Sequence, residues 1–277
     1  VALATRHGKE RALAPLLEAR LGVQVVLAEG VDTDRFGTFT REVPRPGGAL
    51  EAARAKAEAA LAACPAARFG LASEGSFGAH PHLPFVPGGH ELVLLRERGG
   101  GLEVVGEHLT AETNFAHARA ASLEEARAFA RRAGFPSHAL VVAACEGGEP
   151  APHRALYKGV CRPLALERTV RVVLGACGEA HLETDMRAHL NPTRMRAIAR
   201  AGRALVRRAR TLCPACGRPG FGVLSLLPGR PCADCGRPTR LVREERWGCG
   251  GCGLQRGRVP PGGEAPAPPG ACDGCNP

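Results

Sequence analysis

The sequence predicts an α/β domain, a mixed sheet with flanking helices, followed by a small domain built around cysteines. Three observations predict it. Strand-like and helix-like runs alternate through the first quarter of the chain, the pattern of an α/β domain with a partly parallel sheet. Two β-rich runs, 92–97 and 102–107, flank Gly99-Gly100-Gly101 and read as an antiparallel hairpin. Four Cys-x-x-Cys pairs crowd the last 65 residues. At 277 residues the chain has room for about two domains, and the composition changes at 211–213, dividing it into 1–212 and 213–277.

Taken in order, residues 1–5 read as a strand, and 9–20 as a helix with Leu13, Leu16 and Leu17 at helical spacing. Residues 23–28 are β-rich, 51–63 form an Ala-rich helix, and 69–72 a short strand. Ser122 stands as an N-cap, with Glu125 completing a capping box for a helix to Arg132. Residues 139–144 and 169–174 read as apolar strands. Asn191-Pro192 places a cap before a first-turn proline and opens a helix that runs to Arg210. Residues 259–271 are rich in Pro and Gly.

Composition narrows the class further. Hydrophobic residues at 44% exclude a disordered or collagen-like chain, and no apolar run approaches the ~18 residues of a membrane span. The opening residues show no basic-then-apolar leader, and Cys-x-x-Cys pairs suit metal binding better than secreted disulfides, so a cytoplasmic protein is expected. Net charge is +10, yet of 37 basic residues only Lys9, Lys56 and Lys158 are Lys. Where Arg is the default cation, a retained Lys marks a place for a compact ammonium. The charge is uneven: residues 1–185 carry 21 basic and 22 acidic groups, 186–210 carry eight Arg and no acid, and 211–277 carry eight Arg and five acids.

The cysteine pairs are Cys213/Cys216, Cys232/Cys235, Cys249/Cys252 and Cys272/Cys275. Each can present two thiolates from one tight turn, and two such knuckles complete a tetrahedral Zn²⁺ site. Gly217, Gly236 and Gly253 follow three of the pairs, where a knuckle needs positive φ. Two zinc ions are expected, structural because every ligand is Cys. This makes the second domain a two-zinc ribbon. Sequential pairing is the simplest scheme, and nested pairing is the alternative. Cys64, Cys145, Cys161 and Cys177 stand apart and read as buried structural thiols.

The first strand leads into Thr5-Arg6-His7-Gly8-Lys9 and then a helix, a candidate phosphate cradle. Asp32-Thr33-Asp34 follows the second strand, then Gly37-Thr38-Phe39-Thr40 and Glu42; Lys56 lies in the Ala-rich helix; Ser73-Glu74-Gly75-Ser76 follows the third strand, before His80-Pro81-His82. Acids at strand ends would hold Mg²⁺ through hard oxygens, and lysines would neutralise charge on a leaving phosphate. Lys9, Lys56, Glu74, Asp32 and Asp34 are the candidate catalytic residues. Thr5, His7, Ser73, Ser76, Arg187, Asn191 and Arg194 are the candidate substrate-binding residues.

These motifs carry a resemblance. The runs 5–9 and 73–78, with Thr184-Asp185-Met186-Arg187-Ala188, Asn191-Pro192-Thr193-Arg194-Met195 and the cysteine-rich tail, resemble an uncharacterised bacterial family whose domain has no assigned function. The first 80 residues also resemble the Maf/inosine-triphosphate-pyrophosphatase superfamily through Lys9, the 37–39 run, Lys56 and Glu74, with Ser73-Glu74 where that superfamily carries an acidic pair. The second resemblance implies Mg²⁺-dependent cleavage of a nucleoside triphosphate to monophosphate and pyrophosphate.

From Asn191 onward, Met195, Ile198, Gly202, Leu205 and Ala209 form one helical stripe, and Arg196, Arg200, Arg203, Arg207 and Arg210 another. The arginine stripe is either a solvated face or a phosphate track continuing into the ribbon. The sequence therefore predicts a nucleotide phosphohydrolase acting on a nucleotide or other phosphorylated small molecule, with no membrane partner. The alternative is a non-catalytic protein that binds nucleic acid or protein through residues 194–210 and the ribbon.

Overall fold

A computed structural model describes residues 1–33 and 47–276 of the chain. The chain divides into two units: Val1–Arg98 with Val105–Leu205, and Gly99–Val104 with Val206–Pro277. The first unit is mixed α/β. Its first sheet has the order β2 (Val26–Leu27), β1 (Ala2–Leu3), β3 (Phe69–His80), β4 (Leu83–Glu97), β5 (Glu103–Thr110). β1 is parallel to both β2 and β3, whereas β3 and β4 form a long antiparallel hairpin. The helices are α1 (Glu10–Leu21), α2 (Ala49–Ala63), α3 (Leu123–Ala133), α4 (Pro163–Cys177) and α5 (Pro192–Arg210).

Side-chain alternation along β3 assigns the helices to faces. Glycine at position 70 lies against the α2 backbone, Ala72 packs with Ala53 and Ala57, and Glu74 bonds Lys56, so even-numbered residues face α2. Residues 75 and 77 meet Arg194 of α5 on the other face. The small alanines of α2 let that helix lie close to the sheet. Gly106 does the same for α5, since a Cβ there would stand 2.1 Å from the Leu205 nitrogen. We expect Gly106→Ala to force the helix off the sheet and lose about 3 kcal/mol or more of stability, read as a lowered melting temperature.

The second sheet of this unit is antiparallel, with β6 (His117–Ala120), β10 (Ala180–Thr184) and β7 (Leu140–Glu146) in that order, and β8 (Glu149–Pro150) and β9 (Leu156–Val160) both on β7. Leu140, Val142, Ala144 and Leu182 form one core with Phe129 of α3 and Leu166, Val170 and Val173 of α4. Ser122 caps α3 by accepting from the Glu125 nitrogen at 3.2 Å, and the Glu125 carboxylate accepts from the Ala121 nitrogen.

Several elements differ from the sequence expectation. Residues 169–174 are helical, inside α4. Their β-branched content suggests a strand, but Pro163 starts a helix, Gly178 stops it, and Leu166, Val170 and Val173 recur at helical spacing on the core. β3 runs to His80, so Ser73–Ser76 lie within a strand, His80 ends it and His82 lies in the hairpin turn. Of the four thiols expected to be buried, Cys145 is, Cys64 and Cys177 are half-buried, and Cys161 is exposed. No helix among the described residues is long and apolar enough to cross a membrane.

The second unit is built on the sheet β11 (Gly222–Pro228), β12 (Val242–Gly248), β13 (Gln255–Arg258), antiparallel throughout. Phe221 packs with Cys213 and Cys249 in its small core, with Trp247 alongside.

Candidate functional site

β1 ends at Leu3, opposite Leu71, while β3 continues. Beyond that point no strand among the described residues pairs with this edge of β3, and residues 4–9 lead from β1 to α1. The Lys9 side chain closes the gap, its ammonium donating to the Ser73 main-chain oxygen at 2.5 Å, where a longer β1 would have placed an amide. Openings of this kind, outside the carboxyl ends of parallel strands, are where α/β sheets bind ligands.

Charges gather at this edge from both faces. On the α2 face Lys56 and Glu74 form a short, buried ion pair. On the α5 face Arg194 donates through Nε to Glu91 at 2.7 Å, both side chains essentially without exposure. Arg194 also donates to the Met186 oxygen and lies 5.2 Å from the Phe77 ring centroid. Gly75, directly opposite Glu91 in the hairpin, makes this possible, because a Cβ there would stand 2.6 Å from Glu91 Oε1 and 2.8 Å from Arg194. Burial, then the neighbouring Arg194 charge, pushes the Lys9 pKa down to about 8, against the opposing pull of Glu74 and Glu91.

The remaining candidates occupy different places. Asp32 is exposed and pairs with Arg6 of the 4–9 loop at 2.8 Å. Asp34, the 37–40 run and Glu42 lie outside the described residues. Thr5 Oγ1 accepts from the His7 nitrogen, and the His7 ring stacks on His189 at 5.2 Å between centroids. The His189 pKa is lowered by burial and by the Arg187 charge. Ser76 is exposed farther along β3, lining a pocket of about 550 Å³ with Phe77, Gly78, His90, Glu107 and Leu109. Arg187 is held by Asp185, which also accepts from the Gly159 nitrogen. Asn191 is fully buried as the cap of α5: its Oδ1 accepts from the Arg194 nitrogen, and its amide donates to Asn114 and the Asp185 oxygen. Lys158 is exposed on β9.

The structure thus brings Lys9, Lys56, Glu74, Ser73 and Arg194 together and leaves Asp32 at the rim. Glu74 is engaged by Lys56 and Asp32 by Arg6, so the described carboxylates do not assemble an oxygen cage for Mg²⁺. Among the described residues, the groups of three or more close ligand atoms are the two cysteine sets. Sequence reasoning missed Glu91. Its signal was an acid in phase with Val93 and Leu95 within an apolar strand, a pattern that places a carboxylate on an inward face.

The cysteines form two four-sulfur clusters, Cys213, Cys216, Cys249 and Cys252, and Cys232, Cys235, Cys272 and Cys275. The first knuckle joins the third and the second joins the fourth, so neither sequential nor nested pairing holds. The cause is the hairpin register. Gly222 pairs with Gly248, so the β11–β12 ladder carries the first knuckle beside the third. The second knuckle lies at the other end of that hairpin, where the Ala267 backbone pairs with Cys232 and Ala233 and brings in the fourth. Facing sulfurs are 3.7 Å apart in the first cluster, and 3.6 and 3.9 Å in the second. A tetrahedron with ~2.3 Å metal–sulfur bonds has edges of about 3.8 Å, so both clusters fit a zinc-sized ion. Gly217, Gly236 and Gly253 all have positive φ, as the knuckle turn requires. Amide groups of Cys252 and Gly251 pull the Cys249 pKa to about 6, and that of Gly274 leads in pulling Cys272 to about 7, whereas neighbouring sulfurs push Cys252 up to about 11 and Cys275 to about 12.

Fold and sites together define an α/β protein with a ribbon holding two Cys₄ clusters. Residues 58–277 match the model of a family described as a domain of unknown function (DUF6671), and the chain belongs to that family. No curated protein and no solved structure matches it.

Proposed function

We propose that the α/β unit binds and hydrolyses a nucleotide or other phosphorylated small molecule, and that the ribbon folds around two structural zinc ions. The observation that carries the first part is the Lys9 ammonium, buried against β3 beyond the end of β1 and beside the Lys56–Glu74 pair. Burying a cation is costly, and a bound phosphate would compensate that cost. Lys9 and Lys56 would neutralise phosphate charge, and Glu74 or Asp32 would orient the attacking water. The resemblance of residues 1–80 to the Maf superfamily implies this class of substrate and also Mg²⁺. Because the described carboxylates do not fit that ion, no step is assigned to it. Four thiolates per site support a closed, structural zinc.

A panel of nucleoside triphosphates, with and without Mg²⁺, tests this reading. Release of phosphate or pyrophosphate is expected, falling about 100-fold or more in Lys56→Ala or Glu74→Ala. No release, or release unchanged in both variants, overturns it.

Lys9 adds a pH signature. Its folded pKa of about 8 lies below the ordinary 10.5, so above pH 8 the ammonium that would meet the anion is lost. Phosphate affinity is expected to fall by up to roughly tenfold per pH unit there, measured by calorimetric titration. Stability moves the other way. The folded state releases this proton first, so the cost of burying the ammonium is full below pH 8 and relieved between 8 and 10.5.

A second reading, nucleic-acid binding without catalysis, is favoured by the arginine stripe of α5, where Arg196, Arg203, Arg207 and Arg210 are exposed. Its test is salt-dependent binding to DNA or RNA, with a slope reduced by about one for each phosphate-contacting Arg removed.

A further inference from the structure

The buried polar atoms without a hydrogen-bond partner among the described residues include Ser73 Oγ and Glu91 Oε2, both on the α5 face of the first sheet. Ser73 is 3% exposed and Glu91 0%. They are neighbours, because Gly75 stands directly opposite Glu91 and Ser73 precedes it by two residues on the same face. Such diagonal positions lie about 7–8 Å apart, and the space above Gly75 holds the Glu91 carboxyl and the Arg194 guanidinium. Leaving a hydroxyl and a carboxylate oxygen unmatched in the interior is unfavourable, more so for the charged group. Beside them, Lys9 spends one of its three ammonium protons on the Ser73 carbonyl, and Arg194 brings a second cation to the same face.

We infer that this cluster takes up a phosphoryl group directly, without a bridging divalent cation, and that Glu91 Oε2 selects it by accepting a hydrogen bond from a protonated ligand oxygen. The inference rests on the phosphate-binding reading above and specifies how that site recognises its anion. The Lys9 and Ser73 donors face the anionic oxygens, and the buried cations supply the charge that a metal ion would otherwise provide. Glu91 then imposes a condition. Inorganic phosphate at neutral pH still carries a proton to donate, whereas sulfate carries none and would set a bare oxygen against a carboxylate. A buried acceptor that must be matched excludes the anion that cannot match it.

Calorimetric titration of the full chain with inorganic phosphate and with sulfate at pH 7, each in EDTA and in Mg²⁺, tests this. Phosphate is expected to bind equally well in EDTA and Mg²⁺, and sulfate about tenfold more weakly or worse, the effect of one charged hydrogen bond lost. In Glu91→Gln the amide oxygen stays on Arg194 Nε and the NH₂ takes the place of Oε2, so the preference for phosphate should shrink to about threefold or less. Phosphate binding that appears only with Mg²⁺, or equal affinity of the wild-type chain for phosphate and sulfate, overturns the inference and leaves the phosphate-binding reading in place. No binding of phosphate, pyrophosphate or any nucleotide, with or without Mg²⁺, overturns that reading itself. The wild-type arms decide the matter even if Glu91→Gln fails to fold.

Discussion

Replacing Cys213 and Cys249 together by serine is expected to leave one tightly held metal ion per chain, whereas replacing Cys213 and Cys232 together removes both. The pairs are chosen because Cys213 and Cys249 share a cluster while Cys213 and Cys232 do not. Sequential pairing would give the reverse result, since it would put Cys213 with Cys232. The structural consequence is large. Free energy of structural zinc binding is about 10–16 kcal/mol in small zinc domains, and there it is folding free energy. Phe221 and the two buried cysteines that it packs against are a small core for a unit of this length, so the ribbon should unfold locally where its metal is lost. Metal content by mass spectrometry under native conditions, with Trp247 fluorescence reporting the first cluster, reads both effects.

Glu91→Ala is expected to destabilise the α/β unit by about 3–5 kcal/mol, measured by urea unfolding, because it leaves the Arg194 guanidinium buried without its carboxylate. Replacing both partners by apolar residues should be far less harmful, since the buried pair itself carries a desolvation penalty. A loss below about 1 kcal/mol in Glu91→Ala would mean that another group neutralises Arg194. The exposed Arg6–Asp32 pair provides the contrast: Asp32→Ala should change stability by well under 1 kcal/mol.

Much of the fold was legible because its signals are local. Asn191-Pro192 marks the start of α5 and Ser122 the start of α3, since caps act over one helical turn. The cysteine spacing marked the knuckles for the same reason. Their pairing was not legible, because a ladder between residues 222 and 248 decides it, and no local pattern encodes that register. The strand expected at 169–174 failed where side-chain type and periodicity conflicted and tertiary burial followed the periodicity. Around the candidate site, the rare lysines pointed to Lys9 and Lys56, since a retained ammonium is a compositional exception. Glu91 stayed hidden, because its partner Arg194 lies 103 residues away and only the closed sheet brings them together.

The crossed knuckles also set an order of assembly during synthesis. The first cluster has all four thiolates once residue 252 has left the ribosome, but the second waits for Cys272 and Cys275. In between, Cys232 and Cys235 are already outside with no fourth knuckle to meet, free to capture metal with the wrong pair. Early closure of the first cluster withdraws Cys249 and Cys252 from that competition. Emergence order alone does not select this pairing, because the first two knuckles leave the ribosome together before residue 249; the ladder that sets Gly222 beside Gly248 does.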